Sequence, residues 1–334
     1  VGILFCFVAL LSARERALQR FEYSLPRMGT LFRIELYAPS EEAAAAAAMA
    51  AFERIEKLEQ LLSDFREDSE LSRLTREAAG APREVSAELF AVLERSLEIS
   101  RLSGGAFDVT IGPVSHLWRR ARHEGRLPDA AELERARKLV DYRLVELNPR
   151  ARTVMLQASG MKLDLGAIGK GYAADEALKV LESRGFRRAL IDAGGDLRLG
   201  DPPPGRSGWR VEVSDPAAAG EPCVLTLRGV GIATSGDAFQ RLDRDGERFS
   251  HIVNPHDGRG LRGASSVTVI ASEGTTADAL ATTLSVLPVE EGLRLLESFP
   301  GASAYLVRRN GNGFLRRASR DFPASCARPP RRGA

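Results

Sequence analysis

The 334 residues suffice for one large core or two ordinary ones. The 47 Lys and Arg nearly balance 45 Asp and Glu, a net charge of +2, which excludes nucleic-acid binding by bulk electrostatics. Cys6, Cys223, Cys326 and the four histidines are scattered, so neither a disulfide framework nor a zinc site is expected.

Val1–Leu11 is almost wholly apolar and runs into Ser12-Ala13, then Arg14-Glu15-Arg16. It is shorter than the ~20 residues that span a bilayer. Residues 1–13 therefore read as the remnant of a secretory signal, with a buried first strand or a retained anchor as the alternatives. Cys6 follows Phe5, which is too bulky for a good lipoprotein cleavage site.

Phe32–Tyr37 alternates as a strand with Phe32, Ile34 and Leu36 on one face. Glu41–Ser63 predicts a long helix, because Phe52, Ile55, Leu58 and Leu62 recur at helical spacing in an alanine-rich run. Ser86 caps a second helix that stops at Gly104, and Asp129 with Glu132 caps a third ending near Val140. Two β-runs follow, Arg143–Leu147 and Thr153–Gln157, joined through Asn148-Pro149.

Lys162–Asp175 reads as a short buried strand, a glycine-rich turn and a helix that stops at Gly185. Further strands are expected at Ala189–Ala193, Trp209–Ser214, Val224–Leu227, Gly231–Thr234, Phe249–Val253 and Ser266–Ala271. Helices near Thr276–Leu287 and Val289–Ser298 precede a last hairpin through Asn310–Gly313. Many strands follow one another directly, which predicts an α+β fold: one domain, about residues 21–320, with helices on a mixed, largely antiparallel sheet. Residues 321–334, rich in Arg and Pro, are expected to be a disordered tail.

The chemistry centres on Asp164-Leu-Gly-Ala-Ile-Gly-Lys170-Gly. A glycine-rich turn opening a helix aims backbone N–H groups at one point, which suits a phosphate. It is not a P-loop, because Asp164 stands at the first glycine position and Gly171 follows Lys170 in place of Ser or Thr. The order of its glycines also excludes the dinucleotide fingerprint. Asp278 and Thr282 at i,i+4 put a carboxylate and a hydroxyl on one helix face, a start toward a Mg²⁺ site. The alternative is a capping or solvated Asp278 and a Thr282 bonded back to a carbonyl. His251, at a strand end, is a candidate proton acceptor, since imidazole titrates near neutral pH. His256 reads as an exposed loop residue, and His116 and His123 have no evident partner. Asp108 lies in a glycine-flanked apolar turn and is either a cap or a ligand group. Ala233-Thr-Ser-Gly-Asp237 is either a close approach to a ligand or a hairpin corner.

Together, Met28-Gly-Thr30, Leu62–Ser69, Gly104–Gly112, Asp164–Asp175, Gly194–Asp196, Thr234–Asp237, His251–Pro255 and Asp278–Thr282 resemble the ApbE family of flavin transferases. The resemblance spans about Met28 to Leu306. It implies export to the cell envelope, periplasmic or inner-membrane-associated, and Mg²⁺-dependent cleavage of FAD. FMN would pass to a Thr or Ser hydroxyl on a flavoprotein subunit of a membrane redox complex, and AMP would leave. It also implies Mg²⁺ ligation by Asp278, Thr282 and the Ala167 backbone oxygen. The FAD-lining positions would be Met28, Phe65, Ala106, Phe107, Asp108, Asp164, Lys170 and Val253, with Phe65 and Phe107 packing on flat rings. Phe65 stands where the family often has an aromatic with a hydroxyl, so stacking is kept and a hydrogen bond lost. Ala238–Leu242 is less aromatic and acidic than the family usually shows. An FAD pyrophosphatase and a non-catalytic flavin-binding protein are the rival readings.

Overall fold

The computed structural model describes residues 18–216, 223–236, 241–244, 247–311 and 313–327. The apolar segment 1–13, positions 237–240 and the end of the tail lie outside them. The chain opens with a hairpin, β1 (Gln19–Arg27) and β2 (Thr30–Ala38), then α1 (Glu41–Leu62) and α2 (Glu70–Glu77). Next come β3 (Arg83–Glu84), α3 (Ala87–Leu102), α4 (Gly112–Glu124), α5 (Ala130–Arg137), β4 (Val145–Asn148) and β5 (Thr153–Leu156). The middle holds α6 (Gly169–Ser183), β6 (Ala189–Ala193), β7 (Leu197–Leu199), β8 (Trp209–Val213) and β9 (Cys223–Leu227). After β10 (Gly231–Gly236) come β11 (Arg241–Arg244), β12 (Glu247–Val253), β13 (Gly260–Arg262) and β14 (Ser265–Ala271). The chain then forms α7 (Gly274–Val286), α8 (Val289–Leu296), β15 (Ser303–Asn310), β16 (Gly313–Ala318) and α9 (Ala324–Ala327).

The spine is an eight-stranded sheet in the order β1-β2-β6-β7-β10-β14-β15-β16, antiparallel at every pairing. The fold is α+β and not doubly wound, as the succession of strands predicts. Side-chain alternation along these strands feeds two cores. Phe32, Ile34 and Leu36 of β2, Val267 and Val269 of β14, and Leu306 of β15 join the helices α1, α6 and α7 on one face. Ile232, Ile270, Tyr305 and Val307 point the other way, against Trp209, Val211 and Leu225 of the β8–β9 ribbon. A third cluster ties α4 to the small β11-β12-β13 sheet through Val114, Trp118, Phe249 and Val253.

Most expected elements form with small shifts at their ends, and Ser86 and Asp129 cap their helices through Leu89 N–H and Glu132 N–H. Three expectations are corrected. Leu163–Leu165 is buried, but Lys162 before it is exposed and the segment makes only a single bridge, to Ile111, because its neighbour, Val109–Gly112, is already turning into α4. Cys223 and Cys326 form a disulfide, with Cα atoms 5.4 Å apart across a separation of 103 residues. That bond and the buried Phe322 seat residues 322–327 on the ribbon side of the sheet, so the start of the expected disordered tail is packed. No helix among the described residues is long and apolar enough to cross a membrane.

Candidate functional site

Two helix N-termini meet at the centre of the helical face. Neither carries its own cap: Ile168 before α6 and Glu273 before α7 make no side-chain cap hydrogen bond. Unsatisfied N–H groups at a buried helix start need acceptors from elsewhere. Each helix supplies the other's. Asp278 of α7 accepts from Gly171 N–H of α6 at 3.0 Å. Asp175 of α6 accepts from Gly274 N–H and Thr275 N–H of α7, both at 2.8 Å, and from the Thr275 hydroxyl at 2.6 Å. The exchange requires near contact of the two backbones. A Cβ on Gly171 would lie 2.2 Å from the Gly274 carbonyl oxygen, so only glycine fits. The ion pair of Arg198 Nε with Asp175, at 2.8 Å, completes this junction.

Charge is concentrated here. Lys170, on the first turn of α6, pairs with Asp196. Burial pulls its ammonium down, but Asp278, Asp196 and Asp192 outweigh this and hold it above the ordinary lysine range. Burial pushes the Asp278 carboxyl up to about 7, against the pull of Lys170 and the Gly171 N–H and with the help of Asp196 and Asp175. Three carboxylates, Asp175, Asp196 and Asp278, meet two cations, Lys170 and Arg198, at this junction. One turn along α7, the Thr282 hydroxyl faces Ser235 of β10 at 3.2 Å. Its neighbours Thr283 and Ser285 instead donate back to the carbonyls of Ala279 and Ala281. The Ala167 carbonyl lies just outside the α6 ladder, whose first bond runs from Tyr172 N–H to Ile168 at 3.1 Å.

Among the described residues no group of three or more His, Cys, Asp or Glu side chains is arranged to hold a metal. A mixed set of one carbonyl, one carboxylate and one hydroxyl is a different donor type, and its all-oxygen chemistry fits a hard cation. The surplus of negative charge around Asp278 fits it as well.

The turn between β1 and β2 reaches the same place. Met28 and Gly29 both have positive φ, 50° and 72°, the backbone of a tight hairpin. The Met28 Cε would lie 3.6 Å from a Cβ placed on Gly169, at the start of α6. Beneath this turn, Gly194 lets Thr30 close on the loop that carries Asp196; a Cβ there would lie 2.1 Å from Thr30 Oγ1.

Asp164 belongs to a second cluster beside the first. Its carboxylate accepts from Gly166 N–H at 2.8 Å, the Ser115 hydroxyl at 2.6 Å and Arg119 at 2.7 Å. Arg119 also bonds Asp64 and lies over the Phe65 ring, 4.1 Å from its centroid. His116 is 3.4 Å from Asp64, so it has a partner that its sequence setting does not disclose.

The remaining expected site residues lie on other elements. Ala106 and Phe107 are buried, with the Phe107 ring inside the main core, so it offers no face to a ligand; this corrects its expected stacking role. Asp108 caps its own turn, accepting from Thr110 N–H at 2.8 Å, the Thr110 hydroxyl at 2.6 Å and Tyr142 N–H at 2.9 Å. It also lines a cleft of about 260 Å³ with Tyr142, Pro255 and His256, and His256 is an exposed turn residue, as its sequence setting predicts. Val253 is buried at the end of β12. His251 is half-buried on that strand, which packs against α7. Sequence reasoning missed Asp175, Asp64 and Arg119. The one available signal was indirect, since Ile168 and Glu273 are poor cap residues and imply borrowed acceptors.

The ApbE family model matches residues 28–306. The chain is 34% identical over 327 residues to the FAD:protein FMN transferase of Treponema pallidum, covering 92% of this chain and 90% of that protein. Among solved structures, the flavin transferase ApbE from Vibrio cholerae matches with a TM-score of 0.82 at 28% identity, covering 91% of this chain and 98% of that one. The ApbE protein from Thermotoga maritima matches at 0.81 and 31% identity, covering 93% and 100%.

Proposed function

The chain belongs to the ApbE family, and from that premise we propose the reaction of this flavin transferase in detail. It cleaves the pyrophosphate of FAD and joins FMN through a phosphoester to a Thr or Ser hydroxyl of a target flavoprotein. The hydroxyl oxygen bonds to the FMN phosphorus, the P–O bond to AMP breaks, and the hydroxyl loses its proton as AMP leaves. The observation that carries this reading is the junction of α6 and α7, where a glycine-rich helix start, Lys170 and buried Asp278 converge.

The positive end of α6 and the Lys170 ammonium favour the phosphate charge at that point. The glycines keep Cβ atoms out of the way of a closely bound pyrophosphate. Asp278, Thr282 and the Ala167 carbonyl would hold Mg²⁺. Bound there, the ion supplies charge neutralisation to the phosphates. His251 is the proposed acceptor of the hydroxyl proton, positioned by β12 against α7. Met28, Phe65, Ala106, Asp108, Asp164 and Val253 are the proposed FAD-lining positions.

The proposed setting is the periplasmic side of the inner membrane, with a redox-complex subunit as target. The apolar run Val1–Leu11 supports export, and so does the Cys223–Cys326 disulfide, since such bonds persist in oxidising compartments.

The test mixes the protein with FAD, Mg²⁺ and a threonine-bearing acceptor peptide. Covalent flavin on the peptide, read by mass spectrometry, is the expected result. FMN and AMP beside an unlabelled peptide would mark a pyrophosphatase, and intact FAD a binding protein. Asp278→Ala should lower turnover at least a hundredfold; full activity in that variant would sink the metal assignment.

A further inference from the structure

Phe65 is 74% exposed, among the most open large apolar side chains in the described structure. Its position is nonetheless fixed. The turn that carries it is pinned at Ser63, whose carbonyl accepts from the Ser69 hydroxyl at 2.6 Å and whose hydroxyl accepts from Phe65 N–H at 3.2 Å. Arg119 then closes the arrangement. Its guanidinium lies over the Phe65 ring and bonds Asp64, the neighbouring residue. Its other nitrogen reaches Asp164, which holds Gly166 N–H at the head of the glycine-rich turn. One planar cation thus links the exposed ring to the phosphate-facing turn.

We propose that Arg119 is a positioning residue: it backs the Phe65 ring as a rigid platform for a flat ring, and sets the platform's distance from the glycine-rich turn. The inference rests on the flavin reading and names how its ring is received. The geometry favours guanidinium over any other cation. A planar fork can bond two carboxylates edge-on while stacking on an aromatic face. Lysine offers a point charge that can pair with one carboxylate but cannot lie flat. With one ring face occupied by Arg119, the other is left for an incoming aromatic surface, and stacked pairs favour such offset contact. A ligand with a flat ring joined to a pyrophosphate is then read at both ends.

The test measures FAD affinity by quenching of flavin fluorescence, with Mg²⁺ present and acceptor absent, in wild type, Arg119→Lys, Phe65→Leu and the double variant. Thermal melting of each shows whether the fold is kept. Arg119→Lys should weaken FAD binding about tenfold, with less quenching, and in separate peptide-labelling assays the KM for FAD should rise more than kcat falls. In the Phe65→Leu background the same change should cost under threefold, because the platform is already gone. Unchanged affinity in Arg119→Lys, or an equal loss in both backgrounds, would overturn the inference while leaving the flavin reading standing. A wild-type protein that does not bind FAD would overturn both.

Discussion

The two faces of the main sheet are secured by different means. On the helical face, α6 and α7 touch through glycine backbones and exchange carboxylate caps between Asp175 and Asp278. On the ribbon face, Trp209, Tyr305 and Phe322 pack over the strands and the Cys223–Cys326 bond clasps the C-terminal segment. The helical face combines stability with site geometry, since Asp278 is at once a cap and a proposed ligand. The ribbon face has no such double duty. Structural damage to the first should therefore reach the chemistry, and damage to the second should not.

Breaking the disulfide gives the largest expected loss of stability. It closes a loop of 103 residues, for which chain entropy gives about 5 kcal/mol. Reductant, or Cys326→Ser, should lower the melting temperature markedly while FAD affinity of the folded protein stays within twofold. A parallel loss of affinity would erase the distinction between the faces.

Gly171→Ala comes next, at about 3 kcal/mol, because its Cβ would meet backbone, which cannot rotate away. Here stability and turnover should fall together, as the new methyl forces Asp278 from its place. Chemical denaturation alongside peptide labelling checks both. Asp175→Ala should cost about 1–2 kcal/mol, by leaving Gly274 and Thr275 N–H groups uncapped. Its turnover loss should exceed that of a surface cap variant such as Asp129→Ala.

The smallest effect concerns acid. Burial pushes the Asp64 carboxyl up, but the His116 and Arg119 contacts outweigh it and hold it below its ordinary 3.8. The unfolded chain then takes up this proton first. The contribution is complete above about pH 4 and is lost as pH falls through the folded value. Asp64→Asn should accordingly show a flatter decline of melting temperature below about pH 4 than wild type.

Much of this protein was legible in local pattern. The strand alternation of Phe32, Ile34 and Leu36, the helical spacing in α1, and the Ser86 and Asp129 caps depend on residues a few positions apart. The ordered set of motifs also carried the family. The pairing of Cys223 with Cys326 was not legible, because nothing local separates a bonded cysteine from a free one. Phe107 misled for a related reason: its position follows the motif, but only the fold decides that its ring joins the core.

By itself, then, the sequence determined the elements, the α+β class and the residue types available for phosphate and cation chemistry, since these follow from short-range periodicity and composition. Tertiary structure alone decided that Asp278 caps a helix begun a hundred residues earlier and that Arg119 joins Asp64 to Asp164. Such partners are chosen by chain packing in three dimensions, and a buried donor, carboxylate or guanidinium accepts whatever complement that packing delivers.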